Sequence, residues 1–279
     1  QGLTLTGTLS GGPTANGAVA FTKAGGGALV LPNNNNSFGA AGTMIDITGG
    51  ILQIGSESVL GSSGTIRIST NSTTQGLRVT ETMTLTKSLM LNNTNSGVDV
   101  TGGKTLTLSS PILPSGTAFA LSKNDSGTLI LSANNSAWTG GINVNAGVLA
   151  VGSAAAIGTG TINISPAAAA YGAAVQLSGD ITLPNAINLQ GGNNHVLLGG
   201  INFGGQLENM SGTNTLTGSI TTGSNSAIGA RAGSTLNLNG TWGLGTMTLA
   251  FTGNGTINLG TNFSGSIWGI EKHGQGTVN

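Results

Sequence analysis

Apolar residues in this chain recur at positions i and i+2, in short blocks closed off by Gly, Asn or Ser. Leu3/Leu5, Leu106/Leu108, Leu129/Leu131, Ile142/Val144, Leu149/Val151, Ile162/Ile164, Leu236/Leu238, Met247/Leu249 and Ile257/Leu259 all follow the pattern. A period of two puts alternate side chains on one side of an extended strand, so each block reads as a strand with one buried face. No window supplies the i, i+3, i+4, i+7 stripe of a packed helix. The blocks are also shorter than the strands of a typical barrel.

Their spacing narrows the choice further. Leu77/Val79, Met83/Leu85 and Leu89/Leu91 begin six residues apart, as do Val175/Leu177, Ile181/Leu183 and Ile187/Leu189, with the next block at Val196. Three short strands in a turn of about 21 residues describe a triangular coil whose inward residues stack on those of the next coil. Antiparallel hairpins would use two-residue Asn-Gly or Asp-Gly connections, which are nearly absent. The expected fold is therefore all-β: a right-handed parallel β-helix, or triangular β-solenoid, continuous from residue 1 to 279. Turns of that size would give about 13 coils, a rod of roughly 60 Å.

Composition agrees with this reading and removes several functions. Gly supplies 50 of the 279 residues and Asn 29, among dense Ser and Thr. All four disfavour helix interiors, by about 0.5–1 kcal/mol per residue relative to Ala. Hydrophobic residues at 37% distinguish the chain from a disordered one, which lacks the apolar surface to fold. Eight cations and eight anions give zero net charge, and the cations are spread from Lys23 to Lys272. That excludes nucleic acid as a partner, since counterion release needs a basic surface, and it excludes a polybasic membrane-surface motif. No apolar run approaches the ~20 residues of a membrane-spanning helix; the richest stretch, Ala167 to Val175, is interrupted by Tyr171 and Gly172. There is no cysteine, hence no disulfide, thiolate metal site or Cys nucleophile. No signal peptide is visible in the sequence, so a targeting segment is expected to have been removed or to lie outside it.

A longer repeat is superimposed on the coils. Lys23-Ala-Gly-Gly-Gly27-Ala-Leu29-Val-Leu31 matches Lys123-Asn-Asp-Ser-Gly127-Thr-Leu129-Ile-Leu131, and also Lys272-His-Gly-Gln-Gly276-Thr-Val278. Downstream, Gly49-Gly-Ile-Leu-Gln-Ile-Gly55 parallels Ala146-Gly-Val-Leu-Ala-Val-Gly152, and Gly64-Thr-Ile-Arg-Ile68 parallels Gly160-Thr-Ile-Asn-Ile164. The units run approximately over 21–68 and 120–164, with the start of a third at 268–279. The phrase from Lys123 to Gly152, with the lead-in Gly103 to Leu108 and Ile181 to Leu189, resembles the autotransporter-associated β-strand repeat (passenger-associated transport repeat) of bacterial passenger domains. That resemblance implies a secreted or surface-displayed right-handed β-helix, often part of a longer array. It does not extend to the membrane barrel such proteins carry, whose longer alternating strands and aromatic girdles are missing here.

The eight carboxylates are Asp46, Glu57, Glu81, Asp99, Asp125, Asp180, Glu208 and Glu271. Sugar cleavage needs two carboxyl groups about 5–10 Å apart; Glu81 and Asp99 come nearest in sequence to one coil's separation. One pair near coil spacing is expected by chance, so all eight, that pair included, read as isolated turn or outer-face groups. The repeated G-G-x-G-x-D of calcium-binding β-rolls is absent. His195 and His273 stand alone, without G-x-S-x-G or any other nucleophile motif, and read as loop histidines. Gly25-Gly-Gly27 lacks a phosphate-loop context and reads as a tight turn. The recurring Lys23, Lys123 and Lys272 are read as strand-edge caps or as stems covering apolar surface, not as a polyanion site. The Asn runs Asn33 to Asn36 and Asn134/Asn135 read as turn residues, and sequons such as Asn35, Asn92 and Asn262 as products of composition. Thr4/Thr6, Thr82/Thr84/Thr86 and Thr105/Thr107 invite comparison with a flat ice-binding Thr face, but T-x-T does not recur on every coil.

The expectation is an extracellular, bacterial-surface structural or adhesive β-solenoid, a surface fibre, stalk or matrix filament with no catalytic site, cofactor or metal. Its partners would be further coils or other copies joined head to tail, with glycans or a cell surface as contacts. Assembly edges are expected at Gly2, Leu3, Thr4 and Leu5 and at Gly276, Thr277, Val278 and Asn279, because neither end shows a capping element. The alternative is a carbohydrate-binding or carbohydrate-cleaving β-helix, a surface glycan enzyme or a phage tailspike-like shaft. It would need paired carboxylates and a Trp-lined groove, and Trp138, Trp242 and Trp268 are widely spaced.

Overall fold

The computed structural model describes residues 2–72, 74–94, 96–165, 172–190, 204–260, 263 and 265–279. His195, Val196, Asn262 and the apolar Ala167–Tyr171, all singled out above, lie outside the described residues, as does Gln1. The chain divides into two compact units, residues 1–140 and 141–279.

In the first unit each coil has three faces. Gly2–Thr4, Ala28–Leu31, Ile51–Ile54, Gly76–Val79, Ser96–Val100 and Leu121–Asn124 build the first face, each strand parallel to its successor. Val19–Lys23, Met44–Ile47, Thr65–Ile68, Ser88–Leu91 and Ile112–Leu113 build the third. The second face is less regular. It opens with the two-residue strands Ser10–Gly11 and Ser37–Phe38, passes through a 3-10 turn at Glu57–Leu60, then continues as Met83–Leu85, Thr105–Leu108 and Thr128–Leu131.

The second unit repeats the plan. Its first face runs Ile142–Val144, Ile162–Ile164, Ile187–Leu189, Ile220–Thr222, Trp242–Leu244. Its second face holds Gly147–Val151, Ala173–Leu177, Leu207–Asn209, Ser226–Ala230, Thr248–Gly253 and Gly269–Lys272. After a 3-10 turn at Ala154–Ala156, the third face comprises Thr182–Leu183, Thr213–Leu216, Thr235–Leu238, Thr256–Leu259 and Thr277–Val278. The all-β, parallel, three-stranded coil read from the sequence is the fold observed.

Coil length is less even than the sequence spacing suggests, and most coils are longer. Along the first face of the first unit, Gly2 is followed in register by Ala28, Ile51, Gly76 and Gly97. In the second unit Ile142 is followed by Ile162, Ile187, Ile220 and Trp242, with the widest step between Ile187 and Ile220. The extra residues lie between the paired strands in sequence, so the chain makes fewer coils than an even turn would give. The strands stay in phase because burial acts on them alone. Leu29, Leu52, Leu77 and Val98 form one inward row, and Leu31, Ile54, Val79 and Val100 the next. All are less than a tenth exposed. A one-residue slip would turn a whole row outward, which pins the register.

The inward row of the second unit's second face is Leu149, Val175, Leu207, Ile228 and Phe251. Leu149 heads the described part of that row. Its partner on the following coil is Val175, because Ile162–Ile164 belongs to the first face and pairs with Ile142–Val144 and Ile187–Leu189.

Candidate functional site

Of the three repeated lysines, Lys23 and Lys123 are buried side chains, not strand-edge caps or surface covers. Each of the three occupies a row position that an apolar residue fills on a neighbouring coil. Lys23 is in register with Ile47, Lys123 with Val98, and Lys272 with Phe251. Lys23 and Lys123 are buried, while Lys272 is exposed. In the buried pair the stem extends the apolar row, and the ammonium reaches the corner that follows. There Lys23 Nζ donates to the carbonyls of Ala24 (2.8 Å), Gly25 (2.7 Å) and, one coil on, Gly49 (2.7 Å).

The same corner geometry recurs at the other two. Lys123 Nζ donates to Asn124 O (2.8 Å) and Asp125 O (2.6 Å), and Lys272 Nζ to His273 O (3.2 Å) and Gly274 O (2.9 Å). In all three the second residue after the lysine is left-handed: Gly25 at φ 72°, Asp125 at φ 59°, Gly274 at φ 80°. That conformation curls the corner back so that two successive carbonyls face the ammonium. Gly meets it without strain, and Asp is among the few other side chains that tolerate it. The motif is therefore K-x-[G/D]-x-G, and its lysine satisfies corner carbonyls that the sheet ladders leave free. Lys87 does similar work without the motif, donating to Gly61 O (3.1 Å) and Ser63 O (2.5 Å) of the preceding coil. Desolvation lowers the ammonium pKa of Lys23 and Lys87, and takes that of Lys123 to about 7.

The carboxylates are dispersed, and most are matched by partners on an adjacent coil. Asp46 meets Arg67 (2.5 Å) and Ser69 (2.8 Å), and Asp99 meets Arg78 (3.0 Å) and Asn124 (3.1 Å). Glu81 pairs with Lys104 (2.5 Å), and Glu57 takes the Thr86 hydroxyl (2.6 Å) and backbone N–H (2.9 Å). Glu208, with its side chain 1% exposed, accepts from Arg231 (2.5 Å) and Gln176 (2.9 Å). The Glu81–Asp99 pair weighed for sugar cleavage thus splits: each carboxylate is engaged by a different cation, Asp99 on the outward row of the first face. Asp125 and Asp180 cap turns through Ser126 N (2.7 Å) and Thr213 N (2.5 Å), and Glu271 meets His273 (2.9 Å). Among the described residues no three His, Cys, Asp or Glu side chains gather as metal ligands.

Trp138 is buried, donating to Phe119 O (3.2 Å), and Trp242 is buried edge-on against Phe263, with ring centroids 5.0 Å apart. Trp268 is 77% exposed. The expected assembly residues lie in strands or beside them. Gly2–Thr4 opens a coil as its first-face strand, with Leu5 N donating to Val30 O (3.1 Å). Thr277–Val278 is a third-face strand, flanked by Gly276 N to Gly253 O (3.0 Å) and Asn279 N to Ile257 O (3.0 Å).

The outward polar rows of the second unit form side-chain ladders. On its first face Asn163 donates to Asn143 (2.8 Å), Asn188 to Asn163 (2.7 Å), and Thr221 to Asn188. On its third face Asn237 donates to Thr215 (3.2 Å), Asn258 to Asn237 (2.8 Å) and Asn279 to Asn258 (2.8 Å).

Residues 21–54 and 121–151 match the passenger-associated-transport-repeat family model. Each match begins two residues before a corner lysine, Lys23 or Lys123, and ends on the strand Ile51–Ile54 or Gly147–Val151. No curated protein and no solved structure gives a significant match. A secreted or surface passenger domain is what these repeats imply for the segments they cover.

Proposed function

We propose that this β-solenoid carrying two passenger-associated transport repeats is an extracellular structural or adhesive element of a bacterial surface: a stack of coils that holds its own shape and has no reaction to perform. One observation carries this reading. The opening residues of the repeat, from its lysine to the glycine four positions on, are spent on a corner of the coil, where the Lys23 ammonium binds backbone carbonyls. A motif whose charged group is used up in folding supports a scaffold role. The dispersed carboxylates support it further, because Glu81 and Asp99 are each engaged by a different cation on an adjacent coil.

Axial continuation of the stack is part of the proposal. Further coils or other copies would meet the main-chain edges at Gly2, Leu3, Thr4 and Leu5 and at Gly276, Thr277, Val278 and Asn279. The test is twofold. The native material should image as a fibre, stalk or matrix element on the cell surface, and the purified chain should show no turnover on a broad polysaccharide panel, with or without calcium. Turnover abolished by Glu81→Gln or Asp99→Asn would replace the proposal with a glycan-cleaving β-helix.

A further inference from the structure

The third face of the second unit carries two outward rows that are hydroxyl or amide at every position. In register along the stack, Thr213, Thr235, Thr256 and Thr277 form one row, and Thr215, Asn237, Asn258 and Asn279 the other. These coils follow one another at nearly equal intervals, and the pairing has no bulge. Each coil therefore presents T-x-[T/N], with Asn214, Leu236, Ile257 and Val278 between the two rows, facing the other way. No charged side chain stands among these eight residues; Asp180, on the coil before, marks the end of the Thr row and accepts from Thr213 N.

The rows differ in how their hydrogen bonds are used. Amides of the second row are tied to one another in a ladder, which holds their planes along the stack. Among the described residues, the four hydroxyls of the first row have no protein partner. Thr is stiff at χ1, so these hydroxyls repeat at the strand spacing of about 4.8 Å. A water that bridges two oxygens at the tetrahedral angle, with hydrogen bonds of about 2.8 Å, spans about 4.6 Å. Consecutive Thr hydroxyls are thus separated by the second-neighbour distance of tetrahedral water. Across the strand, the i to i+2 step of about 6.6 Å sets a second, parallel file over the amides.

We propose that this face binds the surface of an ice crystal, the Thr row holding one file of lattice waters and the Asn row a second. The eight row residues are uncharged, so none of them demands a counter-ion from its partner, and their repeat along the stack is that of hydrogen-bonded water. Elsewhere an outward row is laddered shut, interrupted or charged: Asn143, Asn163, Asn188 and Thr221 bond to one another and end at Gly243, and Thr84 and Thr107 give way to Ile130. The first-face row of the first unit reads Val30, Gln53, Arg78, Asp99, Asn124, and the second-face row of the second unit reads Gln176, Glu208, Gly229, Thr252.

The experiment uses the full 279-residue chain, with thermal hysteresis and ice-recrystallisation inhibition as readouts. The chain should arrest ice growth and shape the crystals. Thr256→Lys, which sets a charge in the middle of the Thr row, should abolish the activity with an unchanged melting curve. Thr256→Val, which keeps shape and strand preference but removes one hydroxyl, should weaken it. Thr107→Lys, an outward change in the first unit, should leave it intact. A folded chain with no effect on ice, or activity that survives Thr256→Lys, overturns the proposal. So does retention on an insoluble neutral polysaccharide that Thr256→Lys abolishes while ice is unaffected, since the face would then be a glycan surface.

Discussion

Replacing Lys23 by methionine separates the two things its side chain does. The stem fills an inward row position in register with Ile47, and the ammonium serves three carbonyls. Methionine keeps a chain of similar length in the row and removes only the charge. An ion pair replaced by apolar residues on both sides can be neutral, but these acceptors are main chain and cannot be replaced. Water regains Ala24 O and Gly25 O at the exposed corner, whereas the Gly49 carbonyl, half-buried one coil on, is left poorly served. Charged hydrogen bonds contribute about 1.5–3 kcal/mol each and an unserved acceptor costs about 1–3 kcal/mol. The ammonium's own desolvation, visible in its lowered pKa, is recovered and offsets part of this. The expected net loss is about 2–3 kcal/mol. Lys23→Ala also deletes three methylenes from the row, at about 0.8 kcal/mol each, for a total of about 4–5 kcal/mol. Solenoids often unfold in parts, so native-state hydrogen exchange is the appropriate assay. Thr48 N and Gly49 N, which donate to Lys23 O at 2.9 and 3.3 Å, report on the corner directly. Their protection should fall about 30- to 150-fold in Lys23→Met, a factor of ten for each 1.4 kcal/mol. Unchanged protection would show that the carbonyl cage contributes nothing, and equal losses in the Met and Ala variants would show that the stem does not pack.

Three further outcomes are expected. Leu149→Asp buries an unpaired carboxylate beside Val175 and should cost several kcal/mol, seen as a large drop in the circular-dichroism melting temperature; an unchanged melt would place that strand's inward face wrongly. Asn163→Ala removes two amide bonds from the middle of the first-face ladder and should cost about 1–2 kcal/mol in urea unfolding, while a loss no larger than that of an isolated surface Asn would mean the ladder is not coupled. Lys123, at about 7 when folded and 10.5 when unfolded, binds its proton more weakly in the fold. The unfolded chain therefore holds the extra proton between those values, so this group's contribution to stability rises with pH across that window and is flat below it. Denaturation midpoints of the chain and of Lys123→Met should diverge in that direction, and parallel pH profiles would refute the assignment.

The strands themselves were legible because burial writes them in the simplest code available, one apolar residue in two. Met83–Leu85, Ser88–Leu91 and Ile187–Leu189 stand where the six-residue spacing put them. Coil length was not legible, because corners have no inward residue and so no periodicity to count. The long step from Ile187 to Ile220 and the short one from Ile142 to Ile162 look alike to a rule that sees strands only. Lysine at a corner misled for a related reason. A charged residue is read as exposed, yet Lys23 and Lys123 complete apolar rows; the signal was the Gly or Asp two residues on, which a left-handed turn explains. The Thr and Asn rows were missed because a search for T-x-T passes over Thr235-x-Asn237 and Thr256-x-Asn258. Pairing register, not sequence, shows that Asn continues the row begun by Thr215.

The corner lysines also show that the repeat is indifferent to the side of the coil on which it starts. Lys23 closes a third-face strand, Lys123 lies in a first-face strand and Lys272 closes a second-face strand, yet all three build the same turn. A corner does not register which side of the triangle it joins. Duplicated segments therefore need not be whole numbers of coils to be accepted, and each unequal interval between the lysines shifts the motif to a different side. A repeat that starts with this turn can thus be set on any side of the triangle and still stack on the coil before it.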